Sequence, residues 1–521
     1  MSKLEEFDIE NHEFGEYIEH SLKKYPSCWI AQPEIDKTVK FETLYRTSKD
    51  IEAQIGNPSS ISKNDVVHYI GRNSVTLISI FNAIAFKRWI PVGSNSSTPI
   101  HELLSNIKST HSRALFIDKE IWQKIDNAKI FAPELCMIYI FELVDVESFK
   151  VKLDIVELKS TAYHQYDRNE LQGISYMFLT SGSTGAPKAI MMDYRSTLKG
   201  HDCAKDPNVK SAEQLRIITI NCQPFPHSGG LFQYLSSLSG QADYAIIEGF
   251  EPKLYLDALI KYKANYIGGT PAILTALAKY EQLSQYNLSG IYLIGTGGSK
   301  INKNAIHKIK ELTQISDKAY ILEVYGSSEC TFSHLKITPI TEDLVSLGKS
   351  IRNTECKILH LETNEICSHE EEGEICIKSP GIMKGYFCDK EKTQSVLFDN
   401  GWYRTGDLGK LDDEGNLYIT GRLKEVIKYR AFSVHASELE NILSAHPAVE
   451  LAAVIAKPHD EHGEIPVAFV VVKSHLSEND IQNFVAERVS EFKRIHEVYF
   501  IKEMPLNNGN KVNKPALKKL L

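Results

Sequence analysis

Met177-Phe178-Leu179-Thr180-Ser181-Gly182-Ser183-Thr184-Gly185-Ala186-Pro187-Lys188 runs from an apolar strand pattern into a loop of hydroxyls and glycines that ends in a lysine. Glycines let successive backbone N–H groups approach an anion closely, hydroxyls add donors, and a lysine adds a point charge, so such a loop suits a polyphosphate. It is not a Walker A loop. That motif needs Gly-x-x-x-x-Gly-Lys-Ser/Thr, whereas here Pro187 precedes the lysine and Ala189 follows it. Taken alone, a Ser/Gly/Thr cluster reads as a surface loop. A strand that empties into an anion-ready loop nevertheless sets an expectation of α/β architecture, with ligands at the loops leaving the carboxyl ends of strands.

The flanking sequence repeats this pattern. From about Asp65 to Val324, β-rich runs alternate with helix-period stretches: 65–70 then 75–86, 265–267 then 272–280, 291–294 then 305–312, and 320–324. Alternation of this kind predicts parallel sheets covered by helices. The stretches Thr180–Lys188, Gly295–Ser299 and Gly326–Glu329 each follow such a strand. After Glu372 the texture changes to short strands and Gly-rich turns, with Asp412-Asp413-Glu414-Gly415-Asn416 as a hairpin tip, which predicts an antiparallel β-subdomain. Beyond Gly421–Lys424 a small α+β unit is outlined by 436–443, 451–455, 467–472, 480–491 and 497–501. Within it, Ser477 and Asp480 precede Ile481, Phe484, Val485 and Val489 as a capped amphipathic helix. The expected organisation is an α/β multidomain chain. A large domain, 1–421, holds two βα-layered subdomains and a β-subdomain, and a small mobile α+β domain spans 422–521.

Composition narrows the classes. With 521 residues, 42% apolar and 24% charged, the chain has the make-up of an ordinary globular protein too long for one core. A net charge of −8, from 59 basic and 67 acidic residues, with no basic stripe of interleaved aromatics, argues against nucleic acid as a partner. The amino terminus has no secretory apolar core, and the longest apolar run, Val75 to Phe86, is broken by Ser79 and Asn82, so no membrane span and a cytoplasmic location are expected. Nine scattered cysteines without a Cys-x-x-Cys pair predict reduced thiols.

Five further stretches accompany the loop: Tyr325-Gly326-Ser327-Ser328-Glu329; Gly373–Ile377 running on to Met383-Lys384-Gly385-Tyr386; Tyr403-Arg404-Thr405-Gly406-Asp407; Gly421–Arg430; and Pro505 through Lys511. In this order and at these separations the chain resembles, over essentially its whole length, the acyl-adenylate-forming superfamily of acyl- and aryl-CoA synthetases, nonribosomal peptide synthetase adenylation domains and beetle luciferases. The resemblance implies a reaction in two steps. A carboxylate oxygen attacks the α-phosphorus of ATP to give acyl-AMP and pyrophosphate, and a thiol then displaces AMP. Such transfers are catalysed by positioning and by cationic and donor stabilisation of charge.

The resemblance also implies roles. Thr180, Ser181, Gly182, Ser183, Thr184, Gly185 and Lys188 hold the β- and γ-phosphates. Gly298, Tyr325, Gly326, Ser327 and Ser328 line the nucleotide and acyl pockets, Lys428 belongs to the nucleotide-binding set, and Glu329 helps bind Mg²⁺. Asp407 accepts from the ribose hydroxyls with Arg422 beside it, and Lys511 reaches the substrate carboxylate and α-phosphate. Lys424 is the hinge about which the small domain rotates between the two half-reactions. The chain departs from the family at Ala189, Ala431 and Ala436, and reads Gly-Asn-Lys where Asn-Gly-Lys or Ser-Gly-Lys is usual. Ala431 falls where the acceptor thiol's tunnel is expected, so CoA and the phosphopantetheine of a separate acyl or peptidyl carrier protein both stay open.

Pro224-Phe225-Pro226-His227-Ser228-Gly229-Gly230 resembles the acyl-pocket stretch of acyl- and aryl-CoA synthetases, with His227 on the pocket wall. Amino-acid adenylation domains carry an aspartate there for the substrate ammonium, and none is present, so a small carboxylic acid without that ammonium is the expected substrate. The alternatives are a free-standing amino-acid loading enzyme and a luciferase-like oxygenase, whose branch Phe432-Ser433-Val434 resembles. Two other clusters take the blander reading. His459-Asp460-Glu461-His462 is expected to be a polar loop rather than a metal site, and Cys330 a pocket-side hydrophobe rather than a nucleophile.

Overall fold

The computed structural model describes the chain apart from residues 1–6, 126–134, 159–167, 181–187, 204–215, 241, 299–300, 302, 343–345, 431 and 507–511. Internal contacts divide it into two compact units. The first comprises Met1–Asp343, Ile351–Thr354 and Ser379–Gly401, and the second Leu344–Ser350, Glu355–Lys378 and Trp402–Leu521.

The first unit is built on three mixed sheets. The largest has eight strands, in the order Gly385–Tyr386, Lys188–Met192, Tyr176–Thr180, Ile90–Asn95, Val66–Gly71, Ala114–Asp118, Met137–Asp145 and Lys150–Glu157. Its inner strands pair in parallel, as the alternating pattern requires, and its edges are antiparallel. The helix Val75–Phe86, capped where Leu77 N donates to Ser74 Oγ, is buried on every side except its last residue, which explains its unbroken apolarity. A second sheet joins Ile217–Asn221, Ala242–Ile246, Trp29–Gln32 and Lys37–Lys40. A third joins Tyr266–Gly269, Leu293–Gly297 and Tyr320–Ser327 in parallel, closed by antiparallel Thr331–Pro339.

The second unit holds two sheets. Glu355–Leu359, Gly373–Lys378, Trp402–Leu411 and Leu417–Arg422 pair antiparallel. At the Asp412–Asn416 tip, Asp412 Oδ1 accepts from the backbone N–H of Glu414 and Asn416, which fixes the turn. The point between 421 and 422 falls at the end of this sheet. The following sheet comprises Val426–Tyr429, Phe432–His435, Gly463–Val472, Val449–His459 and Glu497–Phe500. From Ile465 to Val471 its central strand is apolar and buried because both faces are covered. Ala468 and Val470 pack with Leu439, Leu443, Ile481 and Val485, while Val467, Phe469 and Val471 pack with Met504 and Leu517. Ser477 caps Glu478–Ala486 with a full capping box, and that helix stops five residues short of the expected 491, because the chain turns at 487 and Val489 reaches the same core from outside it.

Candidate functional site

In the first unit, Thr180 closes one strand and Lys188 opens the next, and the two stand opposite each other in an antiparallel pair. The hairpin therefore fixes both ends of the phosphate-type loop, with Thr180 Oγ1 donating to Lys188 O at 3.5 Å. Ser181, Gly182, Ser183, Thr184 and Gly185 lie outside the described residues. Lys188 extends its ammonium over the ring of Tyr386, 5.4 Å from the centroid. The Tyr386 hydroxyl donates to Glu329 Oε1 at 3.1 Å. Tyr386 is buried and held in place because its two-residue strand pairs with Ile190 and Met191 just beyond Lys188. Met383 N donates to Glu329 O at 2.7 Å from the same segment. One tyrosine thus connects the loop's lysine to the acid at the end of another sheet. An aromatic face favours a cation and a phenol favours an anionic acceptor, so both charges are held in defined places.

Glu329 follows the strand Tyr320–Ser327, whose pairing slips by one residue between Tyr325 and Gly326. A Cβ at Gly326 would stand 1.8 Å from Thr331 O, so only glycine fits this bulge. Tyr325 lies opposite His334 with ring centroids 6.0 Å apart, and His334 is wholly buried. Gly298 leaves Leu293–Gly297 with φ 80, exposed. Ser328 Oγ donates to Ser228 Oγ at 3.0 Å, tying this loop to the helix Ser228–Ser237. His227 caps that helix. Its Nδ1 accepts from Gly229 N at 3.3 Å and the residue is exposed. Asn73 orders the preceding segment, accepting from Phe225 N at 2.8 Å and donating to Gln223 O and Ile247 O. Cys330 is buried, and the Ser327 hydroxyl donates to its sulfur.

The second unit carries a separate set. Asp407 and Arg422 face each other across adjacent strands, Arg422 Nε standing 3.1 Å from Asp407 Oδ1. The Asp407 side chain is 15% exposed and that of Arg422 57%. The turn before Asp407 is braced. Gly406 has φ 72 and donates to Glu374 Oε1, Arg404 donates to Glu374 Oε2 at 2.6 Å, and Asp407 N donates to Thr405 Oγ1. Lys424 sits exposed in the 3₁₀ turn Leu423–Glu425 between the two sheets of this unit. Lys428 is exposed on Val426–Tyr429, its backbone N–H donating to Glu464 Oε2. Arg430, with φ 53, turns the next hairpin and donates from Nε to His462 Nδ1 at 2.9 Å. His459 and His462 stack with centroids 4.6 Å apart, and His459 Nδ1 accepts from the backbone N–H of Glu461 and His462. Among the described residues, no three His, Cys, Asp or Glu side chains gather as a metal ion would require. No described helix is long and apolar enough to cross a membrane. Lys511 and Ala431 lie outside the described residues.

In the first unit Lys188 is connected through Tyr386 to Glu329, and in the second Asp407 is paired with Arg422, each set on a sheet of an α/β fold. The chain belongs to the AMP-binding enzyme family: residues 30–387 match the model of that enzyme and 438–511 that of the AMP-binding enzyme C-terminal domain. It is thereby an acyl-adenylate-forming ligase. Among its relatives, a 4-coumarate–CoA ligase of Pinus taeda is 34% identical over 352 residues, 66% of this chain and 64% of that protein, so the match spans just under two thirds of the relative. A luciferin 4-monooxygenase of Photuris pensylvanica is 27% identical over 525 residues, 97% of this chain and 95% of that one. Among solved structures, ATP-bound MatB from Rhodopseudomonas palustris superposes with a TM-score of 0.80 at 22% identity, covering 97% of this chain and 98% of that one, a likeness of fold.

Proposed function

We propose that the protein is an Mg·ATP-dependent acid–thiol ligase. It converts a small carboxylic acid to acyl-AMP with loss of pyrophosphate, then transfers the acyl group to a thiol with loss of AMP. The observation that carries this reading is the connection of Lys188 through Tyr386 to Glu329. It holds an ammonium suited to phosphate oxygens and a carboxylate suited to a hard cation on one fixed side chain. Glu329 would hold the Mg²⁺, which when bound neutralises phosphate charge. Lys188 and the hydroxyls of the Thr180–Lys188 loop would bind the β- and γ-phosphates, Asp407 would accept from the ribose hydroxyls, and Lys511 would stabilise charge at the α-phosphorus. The carboxylate oxygen forms the new P–O bond as the bond to pyrophosphate breaks. In the second step a thiol sulfur bonds the acyl carbon, its proton passes to solvent, and the acyl–oxygen bond to AMP breaks.

The acceptor we favour is CoA, supported by the 4-coumarate–CoA ligase relative. The acid is alkanoic or aryl, supported by the absence of any carboxylate in 224–230 to pair an ammonium. Pyrophosphate release across a panel of alkanoic, aryl and amino acids, with CoA or a phosphopantetheinylated carrier protein as acceptor, tests all of this. Activity with alkanoic or aryl acids and CoA is expected. A preference for an amino acid would overturn the substrate class, and acyl loading of the carrier alone would overturn the acceptor. Oxygen-dependent light or CO₂ release would establish the oxygenase chemistry named for the Photuris relative.

A further inference from the structure

Thr331 is held in a backbone conformation that threonine rarely adopts. Its φ is 54, in the left-handed region, where a β-branched side chain crowds its own backbone and where glycine sits at ease. The residue closes the turn that carries Glu329. Ser327 and Thr331 stand opposite each other in an antiparallel pair, Cys330 N donates to Ser327 O at 3.3 Å, and Glu329 N donates to Ser327 Oγ at 3.2 Å. Glu329 is therefore the middle of a three-residue turn. Such strain persists only where the surroundings impose it, and a turn needing only the left-handed backbone would be better served by glycine. The threonine side chain supplies something more.

Three glycines from three segments of the first unit face it. The Thr331 carbonyl lies against Gly326 of the preceding strand, and the hydroxyl stands against Gly200 of the helix Tyr194–Cys203 and Gly381 of the segment leading to Tyr386. A Cβ at Gly200 would come within 2.7 Å of Thr331 Oγ1, and one at Gly381 closer still, so the hydroxyl fills a notch that these glycines leave open. Thr331 is 2% exposed, and its Oγ1 donates to Cys330 O at 2.7 Å, which fixes the peptide between the two residues. The segment that supplies Gly381 also brings Met383 N to Glu329 O and the Tyr386 hydroxyl to Glu329 Oε1. One stretch of chain thus grips the turn at its backbone, at its acid and, through Thr331, at its base.

We infer that Thr331 is a positioning residue for Glu329: seated among Gly200, Gly326 and Gly381, it holds the turn in its strained form, so that the carboxylate keeps the direction in which Tyr386 meets it. This rests on the reading of Glu329 as a ligand of Mg²⁺. With glycine in place of Thr331 the notch is empty and the turn gains conformations in which Glu329 leaves Tyr386. Partners that orient a metal-binding carboxylate count for about ten- to a hundredfold in metal affinity. The loss falls on metal-dependent binding of nucleotide rather than on the fold, because relief of strain offsets the contacts removed.

The test compares Thr331→Gly, Thr331→Ser, Gly381→Ala and the pair Gly381→Ala with Thr331→Gly in the full chain, with Glu329→Gln as reference. Calorimetry gives the Kd of α,β-methylene-ATP with Mg²⁺ and with EDTA, and the ratio of the two isolates the metal contact. Thermal unfolding is followed alongside. In Thr331→Gly the advantage conferred by Mg²⁺ is expected to shrink about ten- to a hundredfold, with the metal-free Kd changed less than about threefold and Tm within about 4 °C of the parent. Thr331→Ser keeps a hydroxyl in the notch and is expected to retain the parent ratio to within about threefold. Gly381→Ala is expected to reproduce the loss, since its Cβ takes the place of the hydroxyl, and the pair to lose no more than either variant alone. A Mg²⁺ advantage that survives in Thr331→Gly, or that falls only in step with Tm across the set, would show a residue that merely fills the core and would overturn the inference. Glu329→Gln separates the levels. If it leaves the Mg²⁺ advantage intact, the metal role of Glu329 fails and the inference with it. If it abolishes the advantage while Thr331→Gly does not reduce it, the inference alone fails.

Discussion

Tyr386 donates its hydroxyl hydrogen to Glu329 at 3.1 Å, and the same ring faces the Lys188 ammonium, so the acid and the cation of the first unit share one buried support. Replacing Tyr386 with phenylalanine keeps the ring and removes the hydrogen bond. A hydrogen bond to a charged acceptor contributes about 1.5–3 kcal/mol. In Tyr386→Phe the KM for Mg·ATP is therefore expected to rise about tenfold or more, with a shift to higher Mg²⁺ requirement and little change in kcat at saturation. Steady-state pyrophosphate release at varied ATP and Mg²⁺ checks this, and an unchanged KM would remove Tyr386 from the site.

Asp407 should act on the sugar of the nucleotide. Arg422 Nε stands against Asp407 Oδ1, and the turn before Asp407 is braced through Glu374 and Thr405, so Asp407→Asn is expected to fold normally. Loss of a charged acceptor should weaken ATP by about ten- to a hundredfold. With 2′- or 3′-deoxy-ATP the parent and variant should differ much less, because the missing hydroxyl removes the same interaction. Equal losses on ATP and deoxy-ATP would place Asp407 elsewhere.

Lys424 lies in a 3₁₀ turn between two sheets, where a few residues can absorb a change of φ and ψ. Proline fixes φ near −65° and forbids that change. Lys424→Pro should leave acyl-AMP formation largely intact and slow thioester formation about tenfold or more, since only the second step requires the swing. Single-turnover measurement of each step decides it, and equal loss in both would count against a hinge.

His68 and His334 give the fold a definite acid sensitivity. Burial pushes each imidazole down to about 3 from an ordinary 6.5. Above pH 6.5 both folded and unfolded chains are neutral at these sites, and they contribute no pH dependence. As pH falls from 6.5 toward 3, the unfolded chain takes up protons that the folded chain refuses. Stability then drops by up to about 1.4 kcal/mol per pH unit for each imidazole. Urea unfolding of His68→Asn should show a shallower loss between pH 7 and pH 5 than the parent, and an identical slope would contradict the assignment.

What could be read from the sequence was local. The Thr180–Lys188 loop, the Tyr325–Glu329 strand end, the Asp412–Asn416 tip and the Ser477 cap are each specified within a dozen residues, where turn chemistry and periodicity act. Tyr386 stood in a quoted stretch with no role, because its importance comes from pairing with Ile190 and Met191 across nearly two hundred positions. Asn73 and Thr331 were invisible for the same reason. An isolated Asn or Thr carries no mark of the Gln223, Ile247, Gly200 and Gly381 neighbours that fix it. The end of the Glu478–Ala486 helix was overrun because Val489 keeps the helical spacing while reaching the core from beyond the helix.

The most direct test of acyl-adenylate chemistry follows an oxygen atom. An acid that supports pyrophosphate release, labelled with ¹⁸O in both carboxyl oxygens, is turned over with ATP and the thiol acceptor, and the phosphates are analysed by mass spectrometry. Attack of the carboxylate on the α-phosphorus places one labelled oxygen in AMP and none in pyrophosphate. Label in inorganic phosphate with ADP as co-product would mean attack at the γ-phosphorus, and unlabelled AMP would mean that the acid never bonds phosphorus; either result would contradict an acyl-adenylate.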